Sequence, residues 1–342
     1  MIINAVGLVL RVEAVLLLLP AIVGMFYGER QTWLAFLISA AISLLLGLLP
    51  KLFLKPKTHV IYAKEGFIIV AFTWIMLSLV GAVPLVLAGA VTSYADAFFE
   101  IVSGFTTTGS SVIPDVEVLS HGALFWRSFT HWVGGMGIIV FVMAILPNVS
   151  ERPIHILRAE IPGPTVGKLG PRIKDTALIL YLIYIGMTVI ETIMLLFGGM
   201  SFFESLLHAF GTAGTGGFGI KRDSIAGYSP YIQWVITAFM ILFGINFNLY
   251  YLMLLKKFKA VVTSTELWAY LGIIASSIAV ISWNIRHLFV GAEETVRAAA
   301  FQVSSIISTT GYATTDFNLW PNLSKNILLI LMFIGGCAGS TA

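Results

Sequence analysis

The chain has 342 residues, of which 58% are hydrophobic and only 11% are charged, and its mean hydropathy is +0.94. Soluble domains carry roughly a quarter charged residues, so this composition excludes a water-soluble fold and requires lipid to cover much of the surface. The formal net charge of +3 is too small to indicate a nucleic-acid partner, and the single cysteine, Cys337, excludes an internal disulfide.

Apolar segments of about 20 residues, the length that crosses a bilayer, follow one another along the chain. They lie at residues 3–27, 32–50, 66–90, 123–147, 176–198, 231–255, 266–285 and from 322 onward. Twelve of the 20 basic residues fall in the loops that follow the second, fourth and sixth segments. By the positive-inside rule we expect a multi-pass protein of the cell inner (plasma) membrane with a cytoplasmic amino terminus.

Three shorter segments between these spans share one pattern, an amphipathic helix too short to cross the bilayer followed by a loop rich in Thr, Ala and Gly. The segments are YADAFFEIVSGFTTTGSSVI from Tyr94, SFFESLLHAFGTAGTGGFGI from Ser201 and EETVRAAAFQVSSIISTTGYAT from Glu293. Their glycines Gly109, Gly214 and Gly311 are roughly 100 residues apart, and FFE occurs in the first two segments. The recurrence predicts repeats of span, short helix, re-entrant loop and span around a shared path.

Non-helical backbone at membrane depth must be buried in protein or line a watery cavity, so the carbonyl oxygens of a Thr-Thr-Gly loop there need a polar binding partner. An alkali cation is such a partner, because rings of carbonyl oxygens replace its hydration shell. Glycine supplies the positive φ values that such loops need. Acidic residues near the loops favour a cation-attracting mouth, although solubility of outer loops explains any one of them equally well. They are Asp96, Glu100, Asp115, Glu117, Glu204, Asp223, Glu293, Glu294 and Asp316.

The ordered set SGFTTTGSSV, HAFGTAGTGGFG, SSIISTTGYAT and GGCAGSTA resembles the TrkH/KtrB family of bacterial potassium uptake proteins. HWVGGMG at residues 131–137 and GINFNLYY at 244–251 resemble its flanking segments, and two leading spans are typical of the TrkH branch. The resemblance implies an all-α polytopic membrane protein with four span–pore-loop–span repeats around a central ion pore, preceded by two extra transmembrane helices. It further implies a homodimer, a cytosolic nucleotide-binding regulatory subunit similar to TrkA or KtrA, potassium as substrate, no cofactor in this chain and no enzymatic activity.

Carried over to this sequence, the resemblance assigns a potassium filter and an intramembrane gating loop. The filter residues are Thr107, Thr108 and Gly109, then Thr212, Ala213 and Gly214, then Thr309, Thr310 and Gly311. Glycine in all three loops is the potassium-type pattern of the family, whereas related plant transporters with serine in the first loop favour sodium. The gating residues are Gly335, Gly336, Cys337, Ala338, Gly339, Ser340 and Thr341. Their glycines also argue against a continuous helix, with close packing of small residues as the alternative.

The spans and loops divide the chain into four parts. Residues 1–64 hold two leading helices and a cytoplasmic loop, 65–175 the first pore repeat, 176–265 the second, and 266–342 the third. Gly339 follows Gly311 with only one span between them, so we expect it not to be a fourth filter glycine. The third repeat is then truncated in the gating loop and the fourth is absent, which leaves either a fragment or completion by another chain.

Acidic residues within the spans have competing explanations. Glu13, with Arg11, is expected to snorkel to the cytoplasmic membrane surface, and Glu191 either bonds a neighbouring helix or lines the ion path. Asn246 and Asn248 are expected to hold helices together rather than to bind an ion.

Other functions compete with potassium uptake. A secondary carrier would rock between inverted repeats, but the three re-entrant segments enter from the same side, which favours a pore. An intramembrane hydrolase would need a nucleophile with a base, and no GxSG sequence occurs. A sodium-permeable or proton-coupled symporter of the same fold, or a non-conducting fragment, stays open.

Overall fold

The computed structural model describes residues 2–53, 63–137 and 173–342, and these residues fold into α-helices joined by turns and loops. They belong to two compact units, Met1–Tyr181 and Leu182–Ala342. Among the described residues, five helical segments are long and apolar enough to cross a membrane, and a bent helix pair makes a sixth.

Within its described residues, the first unit has six helices before the boundary helix. They are α1 (Ile2–Leu16), α2 (Leu18–Phe26), α3 (Arg30–Phe53), α4 (Ala63–Leu87), α5 (Tyr94–Phe105) and α6 (His121–Gly135). Helices α1 and α2 together form the first span. Helix α3 packs along α1 at a point where each of the two helices carries a glycine. A Cβ on Gly47 would lie 2.6 Å from the carbonyl oxygen of Gly7, so the small residues permit this close contact.

Helix α7 (Ile173–Phe197) crosses the boundary between the units, and the second unit contains the remaining helices. They are α8 (Phe202–Ala213), α9 (Pro230–Phe243), α10 (Phe247–Leu254), α11 (Phe258–Val262), α12 (Thr265–Ile285), α13 (Ala292–Ile307) and α14 (Asn322–Ile334), with a 3-10 turn at Phe317–Leu319. The short helices predicted between the spans are α5, α8 and α13, which confirms their place in the chain order.

The sixth predicted span, residues 231–255, is not one continuous helix. Helices α9 and α10 meet at an angle of 87°. Asn246 starts the second helix, since its side-chain oxygen accepts a hydrogen bond from the backbone N–H of Asn248 at 2.9 Å. Beside the break, a Cβ on Gly244 would overlap the hydroxyl of Tyr270, so the packing there requires glycine. Asn246 therefore caps a helix inside the span, a role that the apolar pattern concealed.

The last predicted span also stops early, as its glycines indicated. Helix α14 ends at Ile334, Gly335 follows with φ +69°, and residues 335–342 are not helical. Residues 138–147 of the fourth predicted span and most of the basic residues of the first two cytoplasmic loops lie outside the described residues.

The prediction that Glu13 snorkels to the membrane surface is wrong. Its side chain is fully buried, and the Ser43 hydroxyl donates a hydrogen bond to its carboxylate at 3.1 Å. The same hydroxyl is 2.8 Å from the carbonyl oxygen of Leu10, so α3 and α1 are joined through this polar contact. Glu13 faces the neighbouring helix because α1 and α3 pack closely along the glycine contact.

Candidate functional site

The loops after α5 and α13 have the same backbone conformation. Thr107 and Gly109 have φ values of +55° and +74°, and Thr309 and Gly311 have +60° and +84°. Positive φ is uncommon for a residue with a β-branched side chain, so its recurrence at the same place in two loops is a specific feature. We call residues 107–109 the first loop and residues 309–311 the third loop.

The matching conformation after α8 occurs at Thr215 and Gly217, with φ values of +51° and +68°. The predicted trio Thr212, Ala213 and Gly214 lies three residues earlier, where Thr212 and Ala213 belong to α8 and Gly214 keeps a helical φ of −77°. The predicted register of the second repeat is therefore wrong. We call residues 215–217 the second loop.

Hydrogen bonding supports the corrected register. In all three loops, the glycine N–H bonds back to the residue six positions earlier: Gly109 to Ser103 at 3.5 Å, Gly217 to Gly211 at 3.2 Å, and Gly311 to Ser305 at 3.3 Å. The shared bond shows that each short helix ends in the same turn, and that the three turns are equivalent.

The carbonyl oxygens of the three loops are free. Within the described part of the chain, no hydrogen bond is made to any carbonyl oxygen of residues 107–109, 215–217 or 309–311. By contrast, the carbonyl of Thr212 accepts from the N–H of Thr215 at 3.0 Å, and that of Gly214 accepts from the Thr215 hydroxyl at 2.8 Å. Thr108, Thr309 and Gly311 are exposed, and carbonyl oxygens without a protein partner are left for water or a ligand, so the corrected loops have oxygens available that the predicted second trio does not.

The corrected register also changes which side chains of the short helices are equivalent. Glu100 lies nine residues before Gly109, and the residues at the same distance from Gly217 and Gly311 are His208 and Gln302, all three buried. The FFE tripeptides are therefore not equivalent. In the second repeat, Glu204 instead forms a capping box with Ser201 at the start of α8.

A buried ion pair holds the first loop. Two nitrogens of Arg127 on α6, Nε and Nη2, each lie 2.7 Å from one carboxylate oxygen of Glu100, and both side chains are buried. The hydroxyl of Ser111 donates to the same carboxylate at 2.9 Å, and the N–H of Val112 donates at 3.0 Å. Because Glu100 is buried and paired, the expectation that it belongs to an acidic pore mouth is wrong.

Neutral contacts hold the second and third loops against each other. A Cβ on Gly217 would overlap the carbonyl of Thr310, so the two loops touch directly and leave no room for a side chain. Just beyond them, the N–H of Ile225 donates to the carbonyl of Ala313 at 3.1 Å, and the N–H of Ala313 donates to the Ser224 hydroxyl at 3.2 Å.

Residues 335–342, which we call the terminal segment, lie in the break between α9 and α10. The N–H of Cys337 donates to the carbonyl of Gly244 at 2.9 Å, and the N–H of Phe247 donates to the carbonyl of Gly339 at 2.9 Å. The two broken helices thus satisfy each other's backbone groups, as non-helical backbone within a membrane requires.

The terminal segment also reaches the second loop. The hydroxyl oxygen of Thr215 lies 2.8 Å from the carbonyl oxygens of both Gly214 and Thr341, which share its one proton, and the hydroxyl of Thr341 donates to the carbonyl of Phe243 at 3.2 Å. One side chain, Thr215, therefore belongs to a loop with free carbonyls and also contacts the segment predicted to gate it.

One feature of the site was missed in the sequence, and one stays open. The missed feature is Arg127, which lies inside the fourth apolar segment, and a basic residue there is a signal for a buried acidic partner. Glu191 is fully buried on α7 with Thr212 as a polar neighbour, and both explanations offered for it stay predictions.

Apolar spans, short helices ending in equivalent turns with free carbonyls, and two helices broken at mutually bonded segments define a polytopic ion-transporting membrane protein. The family model for TrkH, described as a cation transport protein, matches residues 34–275 and 252–342. The chain belongs to this family, which consists of transporters and not enzymes. The resemblance and the all-α membrane fold are confirmed.

Relatives with curated names cover the chain from end to end. The Trk system potassium uptake protein TrkH of Halomonas elongata is 33% identical over 100% of this chain and 72% of its own length. The protein of the same name from Salmonella typhimurium is 35% identical over 98% of this chain and 71% of its own. The crystal structure of the potassium transporter TrkH from Vibrio parahaemolyticus superimposes with a TM-score of 0.87 at 32% identity, covering 100% of this chain and 71% of that one.

Proposed function

We propose that this protein takes up potassium through a selectivity filter to which the first, second and third loops each contribute carbonyl oxygens. The observation that carries the proposal is the set of free carbonyls at residues 107–109, 215–217 and 309–311. A dehydrated potassium ion needs such oxygens in place of water. The relatives named as potassium uptake proteins support the choice of ion.

We further propose that the terminal segment is the gate of this path, since it bonds both to the break in the sixth span and to Thr215 of the second loop. The repeats would occupy residues 65–175, 176–265 and 266–342 after two leading helices at 1–64. The protein would act in the inner membrane with its amino terminus in the cytoplasm, as a homodimer controlled by a cytosolic nucleotide-binding subunit.

Rubidium uptake into proteoliposomes tests this proposal. The intact protein is reconstituted with its regulatory subunit, and potassium or sodium is added as competitor. We expect potassium to compete strongly and sodium weakly, because the filter replaces the hydration shell of the larger ion. Equal competition by both ions would contradict the potassium assignment. Absence of uptake above empty liposomes, in protein shown to be folded, would contradict transport itself.

A further inference from the structure

The terminal segment makes a contact with a charged side chain from outside the two broken helices. Glu266 lies in the first turn of α12, and its oxygen Oε1 accepts a hydrogen bond from the backbone N–H of Ala338 at 2.8 Å. Its other oxygen, Oε2, lies 3.4 Å from the side-chain nitrogen of Asn246, which caps α10. A single carboxylate therefore touches the terminal segment and the break in the sixth span.

This contact joins two elements that would have to separate for the terminal segment to move. The backbone bonds Cys337–Gly244 and Phe247–Gly339 link the same two elements, but they use groups that any residue supplies. Glu266 is exposed and adds a charged acceptor, whose hydrogen bonds are stronger than neutral ones although solvent screens part of that gain. Thr215 and Thr341 also bond through their side chains, but Thr215 belongs to the second loop, so removal of the Glu266 carboxylate weakens the hold on the segment without altering that loop.

A simpler role for Glu266 is to stabilise the start of α12, because acids in the first turn interact favourably with the helix dipole. That helix already has a cap, since the Ser264 hydroxyl accepts from the N–H of Leu267 at 3.3 Å. The helix role also does not require both carboxylate oxygens to point at Ala338 and Asn246. The two roles predict different results for aspartate at this position, which keeps the charge in the first turn.

We propose that Glu266 is a positioning residue that holds the terminal segment in its resting place by bonding Ala338 and Asn246 together. The proposal rests on the proposed function, in which this segment is the gate. Loss of the carboxylate would favour displacement of the segment and raise uptake in the resting protein. Glu266 takes no part in the filter, so ion preference would stay unchanged.

The test measures resting rubidium uptake, without the regulatory subunit, for Glu266→Ala, Glu266→Asp and Glu266→Gln in the intact protein. Aspartate shortens the side chain by about 1.5 Å, too much to keep the 2.8 Å bond to Ala338. We expect a roughly threefold to tenfold rise for alanine and aspartate, the range that one or two lost hydrogen bonds produce. Glutamine retains one acceptor and should give a smaller rise. Thr265→Ala, in the same turn and exposed, is the matched control and should leave uptake unchanged.

A second measurement reports the position of the segment without relying on transport. Cys337 is buried beside Ala338, so its alkylation rate, followed by mass spectrometry of its peptide, rises when the segment leaves its place. We expect alkylation of Cys337 to accelerate in the alanine and aspartate variants by a factor similar to that for uptake.

The outcomes separate this inference from the proposed function. If the aspartate variant matches wild type in both uptake and alkylation while the alanine variant is merely less stable, Glu266 only supports α12 and the inference is wrong. If wild-type protein transports no rubidium even with its regulatory subunit, the proposed function fails, and the alkylation rates alone decide whether Glu266 holds the segment.

Discussion

The first loop and the second loop have the same backbone but are held by different chemistry. Behind the first, Glu100 is an ionised acceptor for Arg127, Ser111 and Val112. At the equivalent position behind the second, His208 is hydrogen-bonded to its own helix, with Nδ1 2.8 Å from the carbonyl of Glu204. Its ring packs on those of Tyr228 and Tyr312.

This difference shows that the loop conformation does not depend on one particular anchor. The Thr–x–Gly pattern with positive φ at both ends recurs, while the buried residue nine positions before the glycine is acidic, imidazole or amide. A buried charge is tolerated behind the first loop because an opposite charge and two further donors meet it there. The three loops therefore share their backbone conformation, and they differ in the stability that is lost when the contacts behind them are removed.

The largest expected effect comes from breaking the buried pair behind the first loop. Arg127→Ala leaves the Glu100 carboxylate buried without its counter-charge, which costs about 3–5 kcal/mol of stability. We expect a large loss of folded, monodisperse protein in detergent and a markedly lower Tm.

The matched control is Lys221→Ala in the second repeat, where Lys221 is 3.8 Å from Glu204 and both are partly exposed. That pair contributes less than about 1 kcal/mol. Equal stability of the two variants would show that the buried pair does not hold the first repeat together.

A smaller effect, on ion preference and not on folding, is expected for Gly109→Ser. Serine at a φ of +74° is strained by about 1 kcal/mol, and relief of that strain would turn the loop carbonyls away from their positions. We expect sodium to compete better with rubidium uptake than it does in wild type. The control is Gly28→Ser, which has an almost identical φ of +73° in a turn with open space around it. An unchanged ion ranking in Gly109→Ser, or an equal change in Gly28→Ser, would contradict the role of the first loop.

Much of the architecture could be predicted because its signals are local. Apolar length marks the spans, and the glycines after Ile334 mark the end of α14. The turns with positive φ at residues 107–109 and 309–311 coincide with the single Thr-Thr-Gly sequence that each segment offers. The functional roles of these residues were predicted only through the family resemblance.

What could not be predicted depends on contacts between distant segments. The second repeat offers glycines at 211, 214, 216, 217 and 219, and only contact with Thr310 shows why residue 217 must be one. The break at residue 244 lies in a mostly apolar span, and the carbonyl oxygen of Gly244 accepts its hydrogen bond from Cys337, about 90 residues later. The local sequence around Gly217 or Gly244 does not indicate which distant residue will contact it.

The central claim, that the second loop occupies residues 215–217, is tested most directly by comparing Gly217→Ala with Gly214→Ala. Both are measured by rubidium uptake with sodium and potassium as competitors, in protein shown to be folded. Alanine at 217 meets the Thr310 carbonyl and an unfavourable φ of +68°, whereas residue 214 has a helical φ of −77° that alanine adopts readily. We expect Gly217→Ala to lose potassium preference or at least nine-tenths of uptake, and Gly214→Ala to keep both. The reverse result, with Gly214→Ala impaired and Gly217→Ala unchanged, would contradict this filter assignment.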